Sequence, residues 1–487
     1  MTSLSAHITN ARTRLVPRRS WSIGVFIVAL AVFLVIAFPA LGDTRFYGIG
    51  LDATVPQLLK ALGGSDSGSY TTLAYDYLDG TVDASNRWIL NLWPPGVPFL
   101  LWVIMSVNGG ALPIVPMLVI TGIVWAAALA LLAAVLIGRR AFVTLGLFSL
   151  AWLASPLLTG WTIHNGAISS DGISAGLTAI LALGIYLTSQ PEFAGIRRGR
   201  RLRYFGGLGL LLGLLCLLRV TWLFAALAAL AALGVYLLIR TIVRTTRRRT
   251  PDAPAPLRHL TQWGVFLVGF GLVTSSWTIA LGTYVHPGSY SWSSGDYQWA
   301  QLWMDDERLE SYNARFLIDG EANWACDIDR AQCAELERVE VGKADGSPYD
   351  GNGPTTFSTF QRYALTTAIT HPGPFIAMRS ATTVEAWFAV PGDPVSSWTS
   401  VPFGALSLLT FLAAIVILAI DSIRGRSGPF LLLMLAGAHL AMIWLTHFET
   451  RYMMTFQVIG LVVIAIAVSP LERRVWHRIR TRKDPTS

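Results

Sequence analysis

Long apolar runs separated by short polar segments dominate the chain. Ten of these runs predict helical membrane spans: 21–41, 113–137, 141–159, 172–189, 204–218, 220–239, 261–284, 401–420, 429–447 and 452–470. Several hold more than about 18 residues without a charge, the length an apolar helix needs to cross hydrocarbon. Residues 93–108 are apolar too, but short, and Pro94-Pro95-Gly96 opens them. They predict a helix lying on the outer face. Residues 204–239 carry one charge, Arg219, between two basic segments. That pattern predicts a hairpin of two short helices, each about 15–20 residues, with Arg219 near the turn.

Two polar stretches are large. One runs from about 42 to 112, the other from about 285 to 400. The second is long enough to fold as a lobe and is rich in Trp292, Tyr297, Trp299, Trp303, Trp324, Tyr349, Trp387 and Trp398. Its last third, Phe357 to Val390, reads as one or two helices resting on the membrane. The expected fold class is an all-α polytopic membrane protein, a bundle of about 10 transmembrane helices with external juxtamembrane helices and an extracytoplasmic lobe. The expected division is 1–284, which includes the first external loop 42–112, then the lobe 285–400, then C-terminal spans with a basic tail, 401–487.

Composition and charge set the orientation. Of 487 residues, 53% are hydrophobic and 14% charged, too apolar for a soluble protein of this length. With the N-terminus in the cytosol, the internal segments hold 25 of the 37 Lys and Arg but only 5 of the 29 acids. This is a positive-inside bias, and it places both termini in the cytosol. The net charge of +8 therefore implies no nucleic-acid partner. The basic clusters Arg197, Arg198, Arg200, Arg201, Arg203 and Arg244, Arg247, Arg248, Arg249 sit where membrane lipid headgroups would attract them. Arg12, Arg14, Arg18 and Arg19 precede the first span. That span is longer than the roughly 7–15 apolar residues of a signal peptide, which favours an uncleaved anchor over cleavage at Ala40-Leu41-Gly42. Cys326 and Cys333 would close a small disulfide loop outside the cytosol, or stand as free thiols. Arg-rich, Lys-poor usage points to a GC-rich bacterial genome, and the expected location is a bacterial inner membrane.

Candidate chemistry gathers on the outer side. Asp66, in Ser65-Asp66-Ser67-Gly68-Ser69-Tyr70, is the leading carboxylate, with a general base and a plain helix N-cap as its two readings. Asp171 closes the loop that carries His164 and Asn165. It is either a functional acid at membrane depth or the N-cap of the next span. A divalent cation between Asp66 and Asp171 is conceivable, since hard cations take oxygen ligands, but no ligand spacing demands one. Arg219, Arg379 and Arg451 are candidate phosphate partners, because guanidinium pairs with phosphate through two hydrogen bonds. Snorkelling to headgroups is the alternative for Arg219, and a Glu449–Arg451 ion pair is the alternative in the last loop. His286 and His371 read as surface histidines. No Walker loop, dinucleotide-binding glycine pattern, His-Glu-x-x-His, Cys-x-x-Cys or Gly-x-Ser-x-Gly occurs.

At these residues the chain resembles the GT-C superfamily of membrane glycosyltransferases, in particular bacterial relatives of protein O-mannosyltransferases and the aminoarabinose lipid A transferase. Asp66, Tyr70 and Ala74 resemble the acidic motif of the first external loop. Trp93-Pro94-Pro95-Gly96 resembles the turn that begins a juxtamembrane helix. Gly207 through Arg219 is similar to a Gly-rich span ending in a basic residue, and His447 through Tyr452 is similar to the late Glu-x-Arg-Tyr loop. The resemblance implies a catalytic module in 1–284, a polyprenyl-phosphate sugar as donor, and transfer to a glycan, lipid or protein hydroxyl on the extracytoplasmic face. It implies Asp66 as catalytic carboxylate and Asp171 as the second external-loop acid, with Tyr70, Arg87, His164, Arg219, Glu449 and Arg451 around the substrates. Relatives carry Glu-Lys before the Pro-Pro turn where Leu92-Trp93 stands here, which moves the phosphate role to Arg87 or Arg219. A transporter or flippase, and a non-catalytic subunit of an envelope-synthesis complex, are the rival classes.

Overall fold

The computed structural model describes residues 19–41, 66–80, 82, 94–109, 114–155, 168–247, 257–285, 365–366, 368–388, 400–445 and 450–483. All regular structure among them is helical. Helix α1 is Arg19–Leu41, α2 Asp66–Leu78, α3 Gly96–Val107, α4 Ile114–Gly138 and α5 Phe142–Ala154. Helix α6 is Asp171–Leu187, α7 Arg198–Leu218, α8 Val220–Arg247 and α9 Leu257–Ala280. Helix α10 is Pro372–Ala386, α11 Ser400–Ile423, α12 Ser427–Leu445 and α13 Met453–Lys483.

Each of the ten expected spans falls on one of these helices. Seven helices are long and apolar enough to cross a membrane: α4, α7, α8, α9, α11, α12 and α13. The other three, α1, α5 and α6, carry shorter apolar stretches. Helix α5 has 13 residues, about 20 Å of rise against a hydrocarbon core of about 30 Å. It stops because Ser155 precedes Pro156 and takes the extended conformation that proline forces on its predecessor, with φ −69° and ψ 117°. The apolar run at 93–108 forms the 12-residue α3, too short to span, as expected of a surface helix.

The hairpin around Arg219 differs from expectation. Its helices have 21 and 28 residues, longer than the 15–20 the apolar pattern implies. Both continue into their basic flanks, since arginine is a good helix former and its long stem keeps the charge in water. The two helices diverge from Arg219. Helix α7 packs mainly along α9, and α8 along α12. Glycines permit the first pairing: a Cβ on Gly209 would strike the carbonyl of Phe266, and one on Gly269 would meet the carbonyl of Gly206 at 2.5 Å.

Between them runs a continuous apolar core, within which Phe33, Trp125, Trp152 and Phe148 stack in sequence across α1, α4 and α5. The basic end of the bundle is pinned by two buried charges. Arg139 donates to the carbonyl of Ile466 and to Ser469, both at 3.0 Å, and pairs with Glu192 at 3.3 Å. Asp421 pairs with Arg426 at 2.8 Å and accepts the Tyr186 hydroxyl at 3.0 Å.

Candidate functional site

The opposite end holds a second set of buried charges. Asp171 is the first residue of α6, and its side chain is 3% exposed. Its backbone N–H bonds the Ser169 hydroxyl at 3.3 Å, which fixes the turn into the helix. The residue in the N-cap position is Ser170, not Asp171. The carboxylate turns instead to two guanidinium groups: one oxygen pairs with Arg219, and the other lies 3.4 Å from Arg451. Both arginines are nearly buried, 12% and 8% exposed. Three segments that are distant in sequence thus meet through one carboxylate.

Local structure explains why each arginine reaches it. Arg219 is the single residue between α7 and α8, extended at φ −147° and ψ 120°. It therefore projects at the apex rather than along a helix side. Its guanidinium lies over the Tyr452 ring at 4.4 Å, a cation–π contact. Burial opposes its charge, but the Asp171 carboxylate and Tyr452 outweigh this and hold its pKa above the ordinary arginine value. Arg451 and Tyr452 occupy the 3₁₀ turn Thr450–Tyr452, immediately before α13.

The segment that opens α2 is tied to the same place. Ser67 is fully buried, and its hydroxyl donates to the carbonyl of Ile168 at 2.5 Å, three residues before Asp171. The N-terminus of α2, where Asp66 sits, is thereby anchored beside the start of α6. Nothing is described of the Asp66 side chain. Tyr70, one turn on, is buried and within electrostatic reach of Arg219. The Pro-Pro-Gly turn docks here as well. A Cβ on Gly96 would meet the Leu217 carbonyl at 2.5 Å, so only glycine lets α3 approach the end of α7 this closely.

Asp66, Tyr70, Asp171, Arg219 and Arg451 therefore belong to one end of the bundle. Arg87, His164 and Glu449 lie outside the described residues, as do Cys326, Cys333 and most of the 285–400 lobe. Arg379 does not join the cluster. It is 1% exposed and donates to the carbonyls of Trp444 at 2.8 Å and Ile443 at 3.0 Å, tying α10 to the last turn of α12. The expectation of a phosphate role for it gives way to this one: a buried guanidinium is held by carbonyls that the helix end leaves unpaired. Sequence reasoning missed Ser67 as a tether and Tyr452 as a platform for Arg219. Tyr452 stood within the quoted late-loop motif, but nothing in the sequence marked its partner.

A divalent cation fits poorly with these residues. Both Asp171 oxygens are committed to guanidinium groups, and no group of three or more His, Cys, Asp or Glu among the described residues is placed to hold a metal.

No protein-family model matches the sequence, and no curated protein matches it. Two solved structures resemble the chain. One is the archaeal oligosaccharyltransferase AglB from Archaeoglobus fulgidus in complex with an inhibitory peptide and a dolichol-phosphate, with TM-score 0.49 and 14% identity over 96% of this chain and 52% of that one. The other is an Archaeoglobus fulgidus oligosaccharyltransferase complexed with Zn and sulfate, with TM-score 0.47 and 12% identity over 93% of this chain and 50% of that one. The chain spans about half the length of the structures it resembles.

Proposed function

We propose that this chain is a membrane glycosyltransferase. It moves a glycosyl group from a polyprenyl-phosphate sugar to an acceptor hydroxyl at the Arg219 end of the bundle. The observation that carries the reading is the convergence of Ser67, Asp171, Arg219 and Arg451, drawn from four separate segments, on one buried charged site. The motifs behind the family resemblance supply Ser67, Arg219 and Arg451, which supports the reading.

In this mechanism Arg219 and Arg451 receive the donor phosphate. Asp171 positions them, since its two oxygens fix both guanidinium groups before substrate arrives. Asp66 takes the proton of the acceptor hydroxyl as its oxygen bonds to the anomeric carbon. The bond from that carbon to the phosphate oxygen breaks, and polyprenyl phosphate leaves with the electron pair. The guanidinium groups stabilise the negative charge that grows on the leaving phosphate. Attack opposite the leaving group inverts the anomeric centre. The acceptor is a glycan, lipid or protein hydroxyl, held by the aromatic-rich lobe at 285–400. The charge bias supports an extracytoplasmic site with both termini in the cytosol, and in this reading the membrane is a bacterial inner membrane.

A transporter would place ionisable side chains near the midplane. Among the described residues the buried ion pairs sit at the two ends of the bundle instead.

The test uses purified protein in nanodiscs, a panel of radiolabelled polyprenyl-phosphate sugars and crude envelope acceptor. Wild type transfers label. Asp66→Asn folds and binds donor but transfers none. Equal transfer by both removes Asp66 from the mechanism, and absence of donor binding by either refutes the glycosyltransferase reading.

A further inference from the structure

Immediately beneath the ion-pair cluster, buried polar side chains accumulate that have no hydrogen-bond partner among the described residues. On α6, Ser174 and Thr178 follow Asp171 by three and seven residues, so the three share one helix face. The hydroxyls of both are buried and unpartnered. The far side of α6 is filled, with Gly176 against Val124 of α4, so this polar face points into the bundle. On α8, Trp222 follows Arg219 by three residues, and its indole nitrogen is buried and unpartnered. On α12, His439 meets the Trp222 ring edge-on at 4.7 Å and the Phe456 ring of α13 at 5.6 Å. Its Nδ1 is likewise buried and unpartnered, and Arg219 lies within electrostatic reach of it.

Ser174, Thr178, Trp222 and His439 are each 2% exposed or less. Ser174 and Thr178 lie roughly 4.5 and 10 Å along the helix from Asp171, and His439 about 9 Å in from the end of α12. The Asp171–Arg219 bridge joins the tops of the two faces, with Ser174 one turn below Asp171 and Trp222 one turn below Arg219. Leaving several such groups unsatisfied in one place is costly, and native interiors rarely do so. A ligand for this set must accept from the indole N–H and also donate to or accept from two hydroxyls and an imidazole. A hydroxyl does both. The nearby guanidinium disfavours a cation.

We propose that Ser174, Thr178, Trp222 and His439 form a hydroxyl-binding subsite under the Asp171–Arg219–Arg451 cluster, filled by bound water or by a sugar hydroxyl of the lipid-linked donor. The second source rests on the glycosyltransferase reading; the first does not. His439 and Trp222 act as positioning residues if water fills the subsite, and as specificity determinants if the sugar does.

The test compares full-length wild type with His439→Phe, His439→Gln and Thr178→Val in nanodiscs. His439→Phe keeps an aromatic ring between Trp222 and Phe456 but removes both nitrogens. His439→Gln restores a donor and an acceptor, and Thr178→Val removes a hydroxyl at constant shape. Two quantities are read: Tm without ligand, and affinity for polyprenyl phosphate with and without its sugar. Bound water predicts a lower Tm for His439→Phe and Thr178→Val, recovery in His439→Gln, and equal effects on the two lipids. A sugar hydroxyl predicts an unchanged Tm and about tenfold weaker binding of the sugar-bearing lipid alone. Unchanged or raised Tm with both affinities intact overturns the proposal, because apolar replacement of truly unpartnered groups is neutral or stabilising. A lowered Tm that His439→Gln fails to recover also overturns it, marking packing alone. If wild type binds neither lipid, the glycosyltransferase reading has failed and the Tm comparison still decides the subsite.

Discussion

Replacing Asp171 with Asn keeps the side chain's size and removes a negative charge that Arg219 and Arg451 share. At the observed 3.4 Å, the Arg451 attraction is about 5 kcal/mol before desolvation at an effective dielectric of 20. Much of that offsets the cost of burying the ions. What remains visible is the penalty of removing one partner from a buried ion pair, about 3–5 kcal/mol. Arg451→Gln should cost less, about 1.5–3 kcal/mol, because Asp171 keeps Arg219. The double variant Asp171→Asn/Arg451→Gln should then be less damaging than the two losses summed, by more than about 0.5 kcal/mol, since both changes break the same Asp171–Arg451 contact. Unfolding in mixed micelles, followed by tryptophan fluorescence, gives all three values. If Asp171→Asn is as stable as wild type, or the losses add to within about 0.5 kcal/mol, the carboxylate does not bridge the two arginines as described.

Three further outcomes are expected. Gly96→Ala should cost about 1–3 kcal/mol in the same unfolding measurement and slow transfer, because its methyl meets the Leu217 backbone and pushes α3 off the Arg219 apex. Tyr452→Leu should remove about 0.5–2 kcal/mol by withdrawing the ring beneath Arg219 and weaken donor binding in a binding assay, while Tyr452→Phe, which keeps the ring, should lose less of both. Arg379→Met should cost about 1–3 kcal/mol per stranded carbonyl at Ile443 and Trp444 and loosen α10, read as faster amide hydrogen exchange across 372–386.

Helix positions were legible in the sequence because a span is written in consecutive residues. Hydrophobicity alone located α4, α9, α11 and α13, and the charge bias kept 93–108 from counting as a crossing. The ends were less legible. The apolar pattern stopped α7 and α8 where charge begins, whereas the backbone continued, because helix propensity does not fall at arginine. Within the site, Asp171, Arg219 and Arg451 stood out as charges bordering apolar runs. That they form one cluster was not readable, since the partners lie 48 and 280 residues apart. Arg379 looked equivalent to Arg219 by the same signal, and only packing against the end of α12 separates them. His439 and Trp222 gave no signal at all, because a single polar group in an apolar run is indistinguishable from a satisfied one until its neighbours are known.

The one-residue joint at Arg219 bears on how the chain is made. In the orientation that the charge bias implies, α7 and α8 must enter the bilayer as a pair, dragging a guanidinium across the hydrocarbon at their shared tip. An arginine at mid-bilayer depth costs about 2.5–3.5 kcal/mol on the insertion scale, a cost that the apolar residues on either side of it offset. Its countercharge is already in place, because Asp171 is synthesised 48 residues earlier. Arg451 arrives last, 280 residues after Asp171. Biosynthesis therefore assembles the Asp171–Arg219 pair first, and the second guanidinium reaches the shared carboxylate only when the final helix docks, so the site is completed at the last step of insertion.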